Sequence, residues 1–439
     1  MSNLAINLTR KTILLLAYSV SPIRGSEYSV GWNYIREMSQ DHNLIVLYGL
    51  AGDHMGDVEE VALSPICQSL SNVEWLPVLP NRFARLLNTP NRKGFLVYSF
   101  YLAYRIWHLQ AYKIALRLVQ SRDVDLIHYL CPIGYREPGY LWKIDKPYIW
   151  GPIGGVENRS TKLVLSRGLF PALKILLRNS INTFQFKYGP RLRVALNNTS
   201  LLFSATTGVK NLIKKVHHLD STALPENAIT EEMLARQRVI SLKPNEPLEI
   251  IWVGSIDERK SLAILINALA RIKTKAWRLT VIGDGPLRSK CFKLAQELNL
   301  NEQIDWIGKV PRLQVNLYYQ RAHLHVITSL LEANTTVIWE AMSFGVPTIA
   351  LDHYGMHDTV CEKCGFKVSV EGSLKSIVEE LTRKISIIIN EPEKIQALSI
   401  GVRDCSRRYT WEQRRRDWSR YYDEAINNWK SSKNHVSSI

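Results

Sequence analysis

The fold is indicated most clearly by the stretch Ser329-Leu-Leu-Glu-Ala-Asn-Thr-Thr-Val-Ile-Trp-Glu-Ala-Met-Ser-Phe-Gly-Val-Pro347. The residues just before it, His325-Val-Ile-Thr, are typical of a buried strand, and a helix follows that ends at Gly345. Pro347 then opens the next strand. A corner of this kind leaves backbone N–H groups unpaired at the positive end of a helix dipole. The stretch therefore predicts a strand–loop–helix–strand unit with an anion site suited to phosphate.

Two glutamates, Glu332 and Glu340, lie on either side of this corner, with seven residues between them. Carboxylates only accept hydrogen bonds when ionised, and sugar hydroxyls are suitable donors for them. A carboxylate on each side of a phosphate site is what a nucleotide sugar needs. This pair therefore predicts a nucleotide-sugar site.

Apolar runs alternate with helical patterns along the whole chain. The run Thr12-Ile-Leu-Leu-Leu-Ala opens the first half, and Leu248-Glu-Ile-Ile-Trp-Val restarts the alternation after a polar linker at residues 225–247. Strands that alternate with helices predict doubly wound parallel sheets. We expect an α/β fold with two Rossmann-like domains facing across a cleft. The predicted limits are 1–222, 223–410, and a C-terminal helix and tail at 411–439 that packs back toward the first domain.

The composition is that of a soluble globular protein, with 46% apolar and 22% charged residues among 439. No apolar stretch approaches the roughly 20 residues needed to span a bilayer. The first residues also lack the layout of a signal peptide, so we expect a cytoplasmic protein. Six scattered cysteines do not form a disulfide framework.

Positive charge is concentrated in the first half, where residues 1–219 carry 26 Lys/Arg and 13 Asp/Glu. The segments 75–122 and 158–219 contain no acidic residue and mix bases with aromatic residues and leucines. Basic helices with an apolar face suit an anionic membrane surface, and peripheral binding there is the prediction. A solvated basic face over an ordinary core is the alternative. No nucleic-acid partner is expected, because the sequence has no helix-turn-helix, zinc-finger or RNA-recognition signature.

Four residues that can bind zinc fall close together, namely His353, His357, Cys361 and Cys364. A single C-x2-C pair without a second pair is weak support for a metal. We expect a surface loop followed by a strand near Gly365 and predict no metal, although the sequence alone leaves metal binding at this loop open.

The second half resembles glycosyltransferase family four, whose members have the two-domain GT-B fold. The motifs that carry the resemblance follow the family's order over roughly residues 249–352. They are Val253-Gly254, Arg259-Lys260, Val281-Ile-Gly-Asp-Gly-Pro286, Trp306-Ile-Gly308, Ser329 and the two glutamates with Gly345-Val-Pro347.

The resemblance implies roles for individual residues. Lys260 and Arg259 would hold the donor diphosphate, since two cations there can stabilise the leaving group without a metal. Glu340 would bind the ribose and Glu332 the donor sugar. The other donor-binding positions are Gly254, Gly308, Val310, Ala333, Asn334 and Thr335. No cofactor is implied.

Candidate residues in the first half are fewer. Gly25 and Ser26 follow the first strand where related enzymes have a small-residue loop near the phosphates, with an ordinary tight turn as the alternative. His128 is expected to end a strand and to lie beside the reacting sugar, or else to be a buried structural histidine. Glu137 or Glu157 is a candidate for contact with the acceptor.

The resemblance implies a retaining, metal-independent glycosyltransferase. Its donor would be a UDP- or GDP-sugar and its acceptor a growing glycan, plausibly linked to polyprenyl diphosphate at the inner face of the cell membrane. Two departures from the family pattern are Ser255, where many relatives have arginine, and Ala333 to Thr336, where an aromatic–glycine pair is usual. They leave the identity of the donor sugar open, and Arg259 would supply part of the diphosphate clamp in place of the missing arginine. The alternative functions are another GT-B activity and an inactive, membrane-associated assembly partner.

Overall fold

The structure is a computed structural model. It describes residues 10–24, 27–49, 61, 63–96, 98–160, 163, 169–243, 246–274, 276–332 and 336–437. The predicted site residues Gly25, Ser26 and Ala333 to Thr335 lie outside the described residues.

The first sheet has seven parallel strands in the order β3-β2-β1-β4-β5-β6-β7. Its inner strands β1 and β4 are almost wholly buried, as expected for a parallel sheet covered by helices on both faces. The strands are β1 Thr12–Ala17, β2 Asn43–Tyr48, β3 Val73–Pro77, β4 Leu126–Cys131, β5 Tyr148–Ile153, β6 Leu201–Ser204 and β7 Thr222–Ala223.

The second sheet has six parallel strands in the order β10-β9-β8-β11-β12-β13. The winding reverses between β8 and β11, which lie side by side although two other strands separate them in sequence. The strands are β8 Leu248–Val253, β9 Trp277–Ile282, β10 Ile304–Gly308, β11 Leu324–Ile327, β12 Thr348–Leu351 and β13 Gly365–Val368.

Helices connect the strands. In the first half they are α1 Glu27–Met38, α2 Pro65–Gln68, α3 Arg82–Arg92, α4 Ser99–Ser121, α5 Leu169–Tyr188, α6 Pro190–Asn197 and α7 Thr207–His217. In the second half they are α8 Glu231–Ala235, α9 Leu262–Leu269, α10 Arg288–Glu297, α11 Arg312–Tyr319, α12 Thr336–Ser343, α13 Tyr354–Thr359, α14 Leu374–Asn390, α15 Glu393–Ser406 and α16 Trp411–Ser437. Short 3-10 helices occur at Leu141–Lys143, Asn301–Gln303 and Arg407–Tyr409.

The contacts divide the chain into two compact units. Unit 1 comprises residues 1–157, 182–226 and 411–439, and unit 2 comprises residues 158–181 and 227–410. Each unit contains one sheet and its own hydrophobic core. The predicted α/β fold with two Rossmann-like parallel sheets is confirmed. The predicted domain limits 1–222, 223–410 and 411–439 stay a prediction.

The C-terminal helix α16 belongs to the core of unit 1. Trp418 and Tyr422 are buried, and their rings pack against His128 of β4. The Tyr422 hydroxyl hydrogen-bonds to the hydroxyl of Tyr34, and Ser419 Oγ lies 3.0 Å from His42 Nε2. The last helix in the sequence therefore packs against α1, β4 and β6 of unit 1.

Among the described helices, none combines the length and the apolar character that crossing a membrane requires.

Candidate functional site

The reversal of winding in the second sheet selects one place for a ligand. In open α/β sheets, ligands bind outside the carboxyl ends of the strands at the point where the strand order reverses. In unit 2 that point lies between β8 and β11. Lys260 follows β8 and Glu332 follows β11, so the two predicted site residues come from the two strands that flank the reversal.

The structure brings Lys260, Arg259 and Glu332 together. Lys260 Nζ lies 2.5 Å from Glu332 Oε2, and Arg259 Nη1 lies 2.6 Å from the same oxygen. The Lys260 side chain is 11% exposed and that of Glu332 16%. A more distant acid, Asp257, places Oδ2 3.9 Å from Arg259 Nη2. Two cations therefore converge on one carboxylate oxygen, and an anionic ligand would compete with Glu332 for them.

The backbone around Lys260 is fixed from both sides. Its N–H donates to Asp257 Oδ1 at 2.8 Å, and its carbonyl accepts from Thr328 Oγ1 at 2.8 Å. The Leu330 N–H donates to the carbonyl of Arg259 at 2.7 Å. These bonds tie the loop after β8 to the residues after β11. The roles of Asp257 and Thr328 were not predicted. The acid three residues before Lys260 could have indicated a side chain that accepts a hydrogen bond from the Lys260 N–H.

Glycines let the neighbouring loops approach each other at this edge. Gly283 follows β9 with φ 128°, and a Cβ there would lie 1.9 Å from the carbonyl oxygen of Gly254. No residue other than glycine fits this contact. The Gly283 N–H in turn donates to the carbonyl of Gly308 at the end of β10, at 2.8 Å. The predicted positions Gly254 and Gly308 thus lie along the carboxyl edge of the second sheet. Gly254 is next to the side chain of Lys260.

Two further predicted residues of unit 2, Val310 and Glu340, have contacts elsewhere in that unit. Val310 packs against the core of unit 2, just after β10. Glu340 lies in α12 and is partly exposed, and its carbonyl accepts from Ser343 Oγ at 2.7 Å. The structure shows no contact that tests the expected ribose role of Glu340, which stays a prediction.

Two buried polar atoms lie beneath the cationic pair. His325 Nδ1 lies 3.1 Å from Thr348 Oγ1, while its Nε2 has no protein partner among the described residues. Burial, with the nearby charge of Lys260, lowers the pKa of His325 to about 3, so the ring is neutral near pH 7. Ser329 Oγ is also buried without a partner in the described part of the chain. Both atoms are enclosed by protein, so a buried water is the partner that would satisfy them.

The prediction that His128 ends a strand was wrong. It is the third residue of β4, which continues to Cys131, and its side chain is fully buried. Its Nδ1 lies 2.8 Å from Tyr34 Oη and its Nε2 lies 3.0 Å from the carbonyl oxygen of Gly151. Burial lowers the pKa of His128 to about 4. Both ring nitrogens are already used, so this geometry supports the structural alternative over a place beside a reacting sugar.

The two acidic candidates for acceptor contact are also engaged inside unit 1. Glu137 is 3% exposed, and its oxygens pair with Arg191 at 2.6 Å and Arg105 at 3.3 Å. Glu157 Oε2 accepts a hydrogen bond from Thr206 Oγ1 at 2.8 Å. Both oxygens of Glu137 are therefore engaged by arginines, and the structure does not support Glu137 as a contact for the acceptor.

The histidines of the possible zinc loop do not join its cysteines. His353 Nε2 lies 2.8 Å from the carbonyl oxygen of Ser329, and His357 Nδ1 lies 2.6 Å from Asp352 Oδ1. The set His353, His357, Cys361 and Cys364 is therefore not brought together as one group of ligands.

Comparison with known proteins finds a family model that matches a region within unit 2. Residues 235–400 match the family described as glycosyl transferases group 1. Over 147 residues, the chain is 29% identical to the lipopolysaccharide 1,6-galactosyltransferase of Salmonella typhimurium. That alignment covers 32% of this chain and 41% of the enzyme, less than half of the relative's length. Residues 235–400, which match the family model, contain Lys260, Arg259 and both glutamates.

Solved structures match the fold over almost the whole chain. The apo form of the lipopolysaccharide outer core galactosyltransferase WaaB has a TM-score of 0.63 and 16% identity, covering 96% of this chain and 99% of that chain. Anabaena HepE in complex with UDP-glucose has a TM-score of 0.53 and 14% identity, covering 98% of this chain and all of that one. At these identities the similarity concerns the fold, which is the GT-B arrangement of two Rossmann-like sheets.

Proposed function

We propose that this chain, a glycosyltransferase with its group 1 family region at residues 235–400, transfers a sugar from a nucleoside diphosphate donor to a growing cell-surface glycan. The observation that carries the proposal is the convergence of Lys260 and Arg259 on Glu332 at the carboxyl edge of the second sheet. The similar galactosyltransferases act on lipopolysaccharide, and HepE binds UDP-glucose, which favours a UDP-sugar donor.

In this proposal, the donor diphosphate takes the place that Glu332 occupies beside the two cations. Lys260 and Arg259 then neutralise the charge that develops on the departing diphosphate, so the reaction requires no metal. Arginine suits this task because its planar guanidinium can hold two phosphate oxygens at once. Released from the cations, Glu332 would accept hydrogen bonds from hydroxyls of the donor sugar.

The rest of the donor would lie along the same edge. Gly308 has φ 77° and open space where a Cβ would be, which allows a flat base to approach the backbone between Gly308 and Val310. Glu340 would bind the ribose hydroxyls.

The proposed reaction retains the anomeric configuration. The bond between the sugar C1 and the β-phosphate oxygen breaks, and the acceptor hydroxyl oxygen bonds to C1 on the same face. The hydroxyl proton passes to the phosphate oxygen that leaves, so proton and charge balance without a covalent enzyme intermediate. The two cations hold that oxygen and thereby stabilise the short-lived ion pair.

A lipid-linked acceptor at an anionic membrane surface is the further part of the proposal. Helix α3 exposes Phe83 and Leu86 at 56% and 67%, and its charged residues are all arginines. Helix α5 exposes Leu177 and Phe184 at 61% and 64% and contains no acidic residue. Exposed apolar side chains among bases suit the boundary between headgroups and acyl chains. This supports peripheral attachment at the inner face of the membrane.

The first test is thermal denaturation of the purified chain with UDP, GDP, ADP and their sugar conjugates, without added metal. A ligand at 100 times its Kd adds about 2.7 kcal/mol to the free energy of unfolding. We expect one nucleotide to stabilise the wild type and the control Lys290→Ala, an exposed cation of α10, but not Lys260→Ala. Equal stabilisation of Lys260→Ala would remove the cationic pair from the donor site. No response of the wild type to any nucleotide would favour the inactive assembly partner.

A further inference from the structure

Three cysteine sulfurs lie close together in unit 2, and all three cysteines follow β12 in the sequence. Cys361 Sγ lies 3.5 Å from Cys364 Sγ and 3.2 Å from Cys405 Sγ. All three sulfurs lie within 4.8 Å of one another. Cys361 and Cys364 belong to the loop before β13, and Cys405 belongs to the last turn of α15. The sequence spacing gave no sign of the third cysteine.

The loop between the first two cysteines is folded around a sulfur acceptor. The backbone N–H of Cys364 donates to the carbonyl oxygen of Cys361 at 3.0 Å, which closes the loop into a tight turn. The Cys361 N–H donates to Cys364 Sγ at 3.3 Å. Amide donors aimed at sulfur favour the thiolate, which is the form that binds metals. The loop therefore holds the sulfurs of Cys361 and Cys364 side by side, with an amide directed at one of them.

The third sulfur has a cation beside it. Arg408 Nη2 donates to Cys405 Sγ at 3.2 Å. Cys364 and Cys405 are both 1% exposed, whereas Cys361 is partly exposed. Solvent therefore reaches the cluster at Cys361 and not at Cys364 or Cys405, and an ion would enter past Cys361.

We propose that Cys361, Cys364 and Cys405 form a three-thiolate site for Zn²⁺, with a fourth, solvent-facing position for water. Zinc binds thiolates at about 2.3 Å in tetrahedral geometry, which separates the sulfurs by about 3.8 Å. To reach that spacing, the distance from Cys361 Sγ to Cys364 Sγ increases by about 0.3 Å and the distance from Cys361 Sγ to Cys405 Sγ by about 0.6 Å. Binding releases the three thiol protons. The resulting complex carries one negative charge, which Arg408 balances.

The chemistry of the ligand set favours zinc over the harder divalent ions. Thiolates select soft metals, while Mg²⁺, Ca²⁺ and Mn²⁺ prefer oxygen ligands. Zinc at this position would link the loop before β13 to the end of α15. Cys364 and Cys405, which belong to these two segments, are 41 positions apart in the sequence. Its role would be to stabilise unit 2.

The test uses the full chain, treated with chelator under reducing conditions and then titrated with Zn²⁺ or Co²⁺. We expect one metal ion per chain by elemental analysis, a thiolate-to-cobalt charge-transfer band, and a higher melting temperature with Zn²⁺. Cys361→Ser, the substitution at the partly exposed ligand, should remove all three effects. His357→Ala and Cys291→Ser should retain them, since neither side chain belongs to the cluster. Arg408→Gln should weaken Zn²⁺ binding by roughly 10- to 100-fold, as outer-shell changes do.

Three results would overturn the proposal. They are substoichiometric metal in the wild type, full metal retention in Cys361→Ser, and loss of metal in His357→Ala. If Cys405→Ser fails to fold, the partly exposed Cys361→Ser and the surface substitution Arg408→Gln still decide the matter. A disulfide between two of these cysteines in the metal-free, non-reduced chain, with no Zn²⁺ uptake after reduction, would assign the cluster to redox chemistry instead.

Discussion

Lys260 Nζ and Glu332 Oε2 lie 2.5 Å apart, although 72 residues separate them in the chain. Their contact joins the loop after β8 to the loop after β11, at the point where the second sheet reverses its winding. A buried cation of this kind is held by a carboxylate until another anion arrives. The ligand-free site is therefore neutralised by one of its own proposed substrate-binding residues.

Substitution of the lysine should affect turnover more than folding. Lys260→Ala should reduce kcat about 10²- to 10³-fold, or about 2.7–4 kcal/mol, the loss typical of one donor to a developing negative charge. Lys260→Arg should recover part of that loss because it restores the charge. The measurement is initial-rate kinetics with the nucleotide sugar identified by thermal denaturation. Lys290→Ala is the control, and a wild-type kcat for Lys260→Ala would contradict the assignment.

Substitution of Glu332 should strengthen nucleotide binding while it weakens the ligand-free protein. Glu332→Gln removes the charge that competes with phosphate for Lys260 and Arg259. A hydrogen bond to a charged group contributes about 1.5 kcal/mol at the low end, so the nucleoside diphosphate should bind roughly tenfold more tightly. The melting temperature without ligand should fall, because two cations lose their partner. Calorimetric titration measures the Kd, and an unchanged Kd would show that Glu332 does not occupy the phosphate position.

Acid should destabilise unit 1 through its buried histidines. Burial is the main cause that lowers the pKa of His42, His108 and His128, each to about 4. In the unfolded chain these rings titrate near pH 6.5, so the unfolded state binds more protons between pH 6.5 and 4. Stability is therefore complete above about pH 6.5 and is lost as the pH falls, by about 1.36 kcal/mol per pH unit for each histidine.

Denaturant unfolding at a series of pH values measures this slope. His42→Asn removes one of the three titrating rings. Because it also removes the contact of His42 with Ser419, the quantity to compare is the change of unfolding free energy per pH unit, and not the absolute stability. We expect a shallower pH dependence than in the wild type. Stability that is flat from pH 7 to pH 4.5 would mean that these rings are charged in the folded protein.

The exposed apolar residues of α3 should control membrane attachment. Phe83→Ser with Leu86→Ser removes two exposed apolar side chains and should reduce sedimentation with anionic vesicles. The matched control is Leu317→Ser, which alters a 56% exposed leucine of α11 in unit 2. Binding should also weaken as salt rises, because the arginines of α3 contribute by charge. Equal sedimentation of the double variant and the wild type would exclude α3 as the attachment surface.

The close approach of two loops at the donor edge should tolerate no side chain. Gly283→Ala would place a Cβ 1.9 Å from the carbonyl oxygen of Gly254, at a φ that other residues rarely adopt. Overpacking of this kind costs about 1–3 kcal/mol. Gly94→Ala is the control, since Gly94 also has a positive φ but open space around it. Chemical denaturation should show a clearly larger loss for Gly283→Ala, and equal losses would mean that the loops can separate.

The sequence predicted the strands that are continuous apolar runs, because a parallel strand buried on both faces has to be apolar throughout. It missed β3, which is mostly half-buried, and β7, which has two residues. Short or edge strands lack that pattern. The fold class followed from the regular alternation of strands and helices, which those omissions do not disturb.

The site was predictable where its residues lie in a local motif. Lys260, Glu332 and Gly254 follow strand ends, so their common edge could be inferred from the sequence. Contacts between distant segments could not. His128 is buried by Tyr34 and by rings of α16, and Cys405 joins Cys361 from another helix. No local pattern encodes such a partnership.

Helix α16 has a consequence for how the chain is made. Tyr34 and Tyr422 lie 388 positions apart, yet their hydroxyls meet within one core. Domains usually fold from the N-terminus as synthesis proceeds. Here the first sheet lacks α16, one of the helices that cover it, until all of unit 2 has been translated, so synthesis of unit 2 is complete before that of unit 1. Until α16 is synthesised, Tyr34, His128 and Phe203 lack the Trp418 ring that they pack against in the folded protein, and apolar surface exposed in this way favours aggregation.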